Sequence, residues 1–217
     1  MAHDLIDSTE MYLRTVLELE EEGIPALRAR LSERLRLSAP SVSEGVARLE
    51  DQGLLELAED RTVRLTDQGR ERATHVMRKH RLAERLLADV IGLEAEYIHE
   101  EACRWEHVIS DRVEDKLAQL LGNPATSPYG NPIPGAGQDP QEIHPLAEVE
   151  DGRYRLHSIS ESLQSDAEVI HVLYEHGMRA GEVVAVDRGP DAVTLTLDEH
   201  RVELSPDTAR LVYVVPA

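Results

Sequence analysis

Ser38-Ala39-Pro40-Ser41-Val42-Ser43-Glu44-Gly45-Val46-Ala47-Arg48-Leu49-Glu50-Asp51-Gln52-Gly53 reads as a helix with both ends marked. Pro40 lies in the first turn, where a missing N–H costs nothing, and Gly53 stops the run. Val42, Val46 and Leu49 recur at helical spacing, so residues 40–51 carry one apolar face. Upstream, Asp7-Ser8-Thr9-Glu10 combines a cap residue with a carboxylate three positions on, and predicts a helix to about Glu22 that stops at Gly23. Residues 26–36 predict a short helix between the two. Downstream, residues 54–58 and 62–65 predict a hairpin around Glu59-Asp60-Arg61. Helix, short helix, turn, helix, hairpin is the order of a winged helix-turn-helix, although other small α+β domains share it.

Beyond the hairpin, Thr66-Asp67-Gln68-Gly69 opens a long helix to about Val90, and residues 94–107 and 111–121 give two further helical runs. Residues 122–145 are rich in Pro, Gly, Asn and Ser and read as a linker without regular structure. Within it, Asn131-Pro132-Ile133-Pro134 reads either as a plain linker or as an internal ligand for an SH3-like surface. Ser165-Asp166-Ala167-Glu168 predicts a capping box for a helix ending at Gly177. Residues 182–187, 193–197, 202–204 and 211–215 predict short strands of a small barrel-like domain.

The 217 residues suffice for one large domain or two to three small ones. With no Phe and one Trp, the core must be aliphatic. The single cysteine forbids an intrachain disulfide, which fits a reducing cytoplasm, and no run suits a signal peptide or a membrane helix. A net charge of −19 argues against indiscriminate nucleic-acid binding by the whole chain. Residues 28–48 run the other way: Arg28, Arg30, Arg34, Arg36 and Arg48 face only Glu33 and Glu44. A small basic face on an acidic body is compatible with a gated DNA reader, and equally with a solvated surface.

The chemistry concentrates in Cys103-Arg104-Trp105-Glu106-His107, four residues after His99. On a helix, His99, Cys103, Glu106 and His107 project from nearly one face. His80 and Glu84 form a second i, i+4 pair, and Met11 lies on the first helix. Thioether, thiolate, imidazole and carboxylate together suit a divalent transition metal. Singly, each has a plainer reading: Met fills cores, Cys is a small buried hydrophobe, and His80 with Glu84 could be a surface pair.

Several stretches resemble the diphtheria toxin repressor family of metal-dependent repressors, most closely its iron-dependent regulators of actinobacteria. They are Thr9-Glu10-Met11-Tyr12-Leu13-Arg14-Thr15, Leu27-Arg28-Ala29-Arg30, Val76-Met77-Arg78-Lys79-His80-Arg81-Leu82-Ala83-Glu84-Arg85-Leu86-Leu87, Glu101-Ala102-Cys103-Arg104-Trp105-Glu106-His107-Val108, and Asn123-Pro124 through Gly135. The resemblance thins over the last seventy or so residues. It implies a mainly α fold with small β parts: a winged helix-turn-helix at 1–73, a helical metal-binding and dimerisation domain at 74–121, the linker at 122–145 and an SH3-like domain at 146–217. It implies a regulatory metal site of Met11, Cys103, Glu106 and His107. It also implies an ancillary site of His80, Glu84 and His99, completed by a Glu-x-x-Gln pair that Glu161 and Gln164 fit. Two Fe2+ per chain are then expected, with Co2+, Ni2+, Zn2+ or Mn2+ as substitutes, and a cytoplasmic homodimer on palindromic operator DNA, one or two dimers per operator, with no membrane role. The manganese-sensing branch carries carboxylates where this chain has sulfur, and soft sulfur favours iron over manganese.

In that reading residues 40–51 enter the major groove, with Ser38, Pro40, Ser41, Ser43 and Glu44 near base edges. Arg28, Arg30, Arg48 and Arg61 are the candidate phosphate contacts. The family typically has Gln, Thr and Arg where this chain has Glu44, Gly45 and Asp51. Glu44 can only accept, as from cytosine N4. Asp51 removes a phosphate contact, and Gly45 costs roughly 0.5–1 kcal/mol of helix stability against Ala. Alternatives are a manganese-responsive regulator, a metalloenzyme with an open coordination position, and a thiol redox sensor at Cys103. No separate general base or Gly-rich substrate loop favours the enzyme, so none is expected.

Overall fold

The computed structural model describes residues 8–137 and 142–217. The expected cap at Asp7 therefore lies outside the described residues. The chain divides into two compact units, Met1–His80 with Cys103–Asp111, and Arg81–Ala102 with Arg112–Ala217.

In the first unit α1 (Ser8–Glu21), α2 (Arg28–Leu35) and α3 (Ala39–Asp51) are followed by β1 (Leu55–Leu57) and β2 (Val63–Leu65). Each boundary lies within two residues of its expected position, the range over which element ends fray. The Ser38 hydroxyl accepts from the Ser41 N–H and starts α3, while Gly53, at φ 70°, follows its end. Strands β1 and β2 pair antiparallel with Leu55 opposite Leu65. At the hairpin tip the Asp60 carboxylate accepts from the Thr62 N–H at 3.0 Å, and Arg61 takes φ 67°. That Asp-centred turn fixes the wing without a glycine.

Leu13, Val16 and Leu19 of α1, Leu31 of α2, Val42, Val46 and Leu49 of α3, and Leu55, Val63 and Leu65 of the hairpin form one buried cluster with Tyr12. Burial of each such side chain contributes about 1.5–3 kcal/mol. This cluster, with no Phe available, holds the three helices and the wing as one body.

Three helices, α4 (Asp67–Leu86), α5 (Ala95–Trp105) and α6 (Asp111–Leu120), supply residues to both units. The expected continuation of α4 to Val90 is a π-helical turn over Leu87–Ile91, closed by Gly92 at φ 74°.

In the second unit β3 (His144–Pro145), β4 (Gly152–Ile159), α7 (Glu161–Gln164), α8 (Ala167–Glu175), β5 (Val183–Arg188), β6 (Val193–Leu197), β7 (His200–Leu204), α9 (Pro206–Ala209) and β8 (Val212–Pro216) follow in order. The strands form a six-stranded antiparallel sheet in the order β3-β8-β4-β5-β6-β7. Strand β4 is absent from the sequence expectation. It carries Arg153, Arg155 and His157, and its register with β8 shifts between Leu156 and Ser158, so it shows no clean alternation. The cap of α8 is also corrected: Asp166, rather than Ser165, accepts from the Val169 N–H at 3.2 Å.

Part of the expected linker is structured. Tyr129 is fully buried and its hydroxyl donates to the Ala95 carbonyl at 2.6 Å. The Asn131 amide donates to Ile159 O at 2.8 Å, Thr126 bridges Pro132, and Ile133 packs with Leu82 and Ala118. Pro and Gly here shape a tightly packed loop rather than a spacer. Among the described residues, no helix is long and apolar enough to cross a membrane.

Candidate metal centre and nucleic-acid surface

Met11, Cys103, Glu106 and His107 all belong to the first unit. Helix α1 sets Met11 and the end of α5 sets Cys103; Glu106 and His107 lie in the turn just beyond it. His107 Nε2 stands 3.4 Å from Met11 Sδ and 3.2 Å from Glu106 Oε1. Ligand bonds of roughly 2.0–2.3 Å place neighbouring donors about 3–4 Å apart, so this spacing fits donors to one ion. His107 Nδ1 lies 2.7 Å from Glu10 Oε2. A carboxylate only accepts, so Nδ1 donates to Glu10 and the Nε2 edge of the ring faces Met11 and Glu106. Glu10, which the sequence offers only as a capping carboxylate, thus orients a candidate ligand.

Glu106 is the electrostatic focus. Arg14 Nη1 donates to its two oxygens at 2.8 and 2.7 Å, and His80 Nδ1 donates at 2.6 Å. Burial favours the neutral carboxyl, yet the charges of Arg14, His80 and His107 outweigh it and hold the Glu106 pKa down to about 2. The same Arg14 nitrogen donates to Cys103 Sγ at 3.3 Å, while Arg14 Nε donates to Glu18 Oε1 at 2.5 Å. Arg14 also stands 3.4 Å from His80 Nδ1. Because that nitrogen donates its N–H to Glu106, it has no lone pair left to accept from Arg14, and this last approach is a contact and not a hydrogen bond. Arg14 is only 4% exposed. Sequence reasoning missed it; the signal available was Glu18 at i+4.

Of the expected ancillary ligands, Glu84, His99, Glu161 and Gln164 belong to the second unit and are buried there. His99 Nδ1 lies 3.0 Å from Gln164 Oε1, and 3.4 Å from both Glu84 Oε1 and Glu161 Oε2. The Ser160 hydroxyl caps α7 and so presents Glu161 and Gln164 on one short turn. Arg81 Nε, another buried cation, donates to Glu161 Oε1 at 3.0 Å. His80 belongs to the first unit, where its Nδ1 faces Glu106.

Ser38, the cap of α3, and Pro40, Ser41, Ser43, Glu44 and Arg48 on the helix are exposed, while Val42, Gly45, Val46 and Leu49 point inward. Arg30 and Arg61 are exposed and Arg28 is half-buried. Arg48 Nη2 donates to Ser8 Oγ at 3.3 Å, tying this candidate phosphate contact to the start of α1. Asp51 is exposed. Gly45 has a packing reason that its sequence did not disclose. A Cβ there would lie 2.5 Å from both Cζ and Oη of Tyr12, whose hydroxyl donates to Ser41 O at 3.3 Å. Tyr12 therefore presses into α3 through the gap left by the missing side chain.

Three family models match the chain. They are the iron-dependent repressor N-terminal DNA-binding domain at residues 4–63, the iron-dependent repressor metal-binding and dimerisation domain at 66–135, and the diphtheria toxin repressor SH3 domain at 143–215. The diphtheria toxin repressor of Corynebacterium efficiens is 48% identical over 222 residues, covering 97% of this chain and 96% of that protein. The iron-dependent repressor IdeR of Mycobacterium tuberculosis is 46% identical over 226 residues, covering 98% of each. A crystal structure of T. acidophilum IdeR superposes with TM-score 0.79 at 27% identity, covering 96% of this chain and 97% of that one. A manganese-dependent transcriptional repressor in complex with manganese gives 0.84 at 29%, covering 96% and 100%.

Proposed function

The chain belongs to the iron-dependent repressor family, and from that membership we propose that it is an Fe(II)-activated repressor that binds palindromic operator DNA as a homodimer. It acts in the cytoplasm, with one or two dimers on each operator. The domains of this reading are the DNA-binding 1–73, the metal-binding and dimerising 74–121, the connecting 122–145 and the SH3-like 146–217. The observation that carries the reading is the approach of Met11 Sδ, His107 Nε2 and Glu106 Oε1 within one compact unit that also contains α3.

Met11, Cys103, Glu106 and His107 would hold the regulatory ion. His80, Glu84 and His99, with Glu161 and Gln164, would hold the ancillary one. A bound divalent ion supplies Lewis acidity toward sulfur, nitrogen and carboxylate lone pairs, and so a cross-link between α1 and residues 103–107. The chain's own residues do the rest. Glu10 fixes the His107 ring, and Tyr12, one residue beyond Met11, locks α1 onto α3 through Ser41 and the Gly45 gap. A shift in α1 is thereby transmitted to the exposed face of α3, where Ser38, Pro40, Ser41, Ser43 and Glu44 meet base edges. Arg28, Arg30, Arg48 and Arg61 meet phosphates and set the register. Coupling of this kind is worth ~1–3 kcal/mol per linked event, whereas a nearly complete switch needs about 5.5 kcal/mol. At least two linked events are therefore needed, and two subunits with two sites each can supply them.

Manganese activation is the second reading, favoured by the likeness to the manganese-dependent repressor. Sulfur from Met11 and Cys103 and the higher identity to the iron-dependent relatives support iron. The relatives are named as repressors, which speaks against catalysis at the metal centre. The test is an anaerobic operator gel shift with Fe(II) or Mn(II), using wild type and Cys103→Ala. Fe(II)-dependent binding lost in the variant is expected. Wild-type metal dependence in Cys103→Ala would overturn the ligand assignment.

A further inference from the structure

We infer that Arg14 is an internal cation that competes with the regulatory metal for the same donors, and that Glu18 is the carboxylate onto which it retires, so that the pair sets the metal affinity. This rests on the regulatory-site reading above. One nitrogen of Arg14 engages both Glu106 oxygens, at 2.8 and 2.7 Å, and the Cys103 sulfur at 3.3 Å. Those lone pairs are the ones a metal would use at two of its four proposed ligands. A guanidinium and a dication cannot share them at close range: their charges repel, and each oxygen lone pair serves one partner well.

Arg14 has somewhere to go. Its Nε already donates to Glu18 Oε1 at 2.5 Å, one helical turn along α1. Both side chains are nearly buried, so neither charge is screened by solvent. Leaving Glu106 therefore exchanges one carboxylate partner for a fuller pairing with another and strands no charge. Metal would then have to outcompete a tethered cation, which lowers apparent affinity in the way a minor binding-competent population does. The device does not change the ligand set. It raises the metal concentration at which the ligands are claimed.

Two substitutions move this balance in opposite directions. Arg14→Gln removes the competitor, while Glu18→Gln removes its alternative partner and leaves Arg14 leaning on Glu106. Neither residue is among the proposed ligands. Full-length protein is titrated anaerobically with Co2+, following the thiolate-to-cobalt charge-transfer absorption, and the thermal midpoint of metal-free protein is recorded alongside. We expect Arg14→Gln to lower the Co2+ Kd by roughly tenfold and Glu18→Gln to raise it several-fold, as fits charge-pair changes in a poorly solvated site. Arg14→Lys, which keeps the charge without the fork, falls between wild type and Arg14→Gln and decides the matter if the latter does not fold. A Kd that is unchanged or higher in Arg14→Gln or Arg14→Lys, with the thiolate band intact, overturns the competition; so does tighter binding in Glu18→Gln. If wild type shows no thiolate band, or Cys103→Ala retains it, the regulatory-site reading has failed and the inference falls with it.

Discussion

Gly45→Ala puts a single methyl where Tyr12 now sits. The new Cβ would stand 2.5 Å from Tyr12 Cζ and Oη and 3.1 Å from Cε1, against a comfortable separation of about 3.5–4.0 Å. Tyr12 is 4% exposed and packed in the core of the first unit, so the ring cannot swing out freely. It must withdraw by about 1 Å, losing its 3.3 Å hydrogen bond to Ser41 O. That bond is worth about 0.5–1.5 kcal/mol, and the overpacking about 1–3 kcal/mol. Helix propensity works the other way, by up to about 1 kcal/mol in favour of Ala. The net expectation is a loss of about 1–2 kcal/mol. Equilibrium urea unfolding of metal-free protein, followed by fluorescence of Trp105, the single tryptophan and a member of the same compact unit, reads the change. The midpoint should fall by about 1 M. In a Tyr12→Leu background the clash is gone, and Gly45→Ala should become stabilising. A higher midpoint for Gly45→Ala in the wild-type background would refute the close approach, and with it the α1-to-α3 lock.

Arg28→Gln should weaken operator binding and reduce the salt slope of log K by about 1, which fluorescence anisotropy at several salt concentrations reads; an unchanged slope removes Arg28 from the phosphate contacts. Asp166→Ala deletes the α8 cap and should cost about 0.5–2 kcal/mol, as seen by denaturant unfolding, whereas Ser165→Ala should be near neutral. Tyr129→Phe strips the hydroxyl from Ala95 O and should destabilise the second unit by about 1–2 kcal/mol, with faster amide exchange around residues 125–133; unaltered exchange there would mean the loop is not anchored by that bond.

The winged-helix order and the capped α3 were legible because their signals are written within a few consecutive residues. A cap and its acceptor are three positions apart, and an apolar stripe repeats every turn. The same locality explains the errors. Strand β4 mixes arginine and histidine with its apolar residues and carries a register shift, so no window displays its period. The segment around Tyr129 has linker composition, yet Ala95 and Ile159 accept its polar groups and make it part of the core.

What the sequence by itself determined is therefore the inventory: which of the longer helices form, which residues carry lone pairs for a soft cation, and which face of α3 is polar. The tertiary structure alone decided which partners those groups take. Arg14 meets Glu106 across 92 residues of chain, Glu10 meets His107 across 97, and Tyr12 enters the space that Gly45 leaves on α3. Such pairings depend on how packed helices bring distant side chains to bonding distance and exclude water around them. A linear reading carries the chemistry of each group but not the distance that sets its strength.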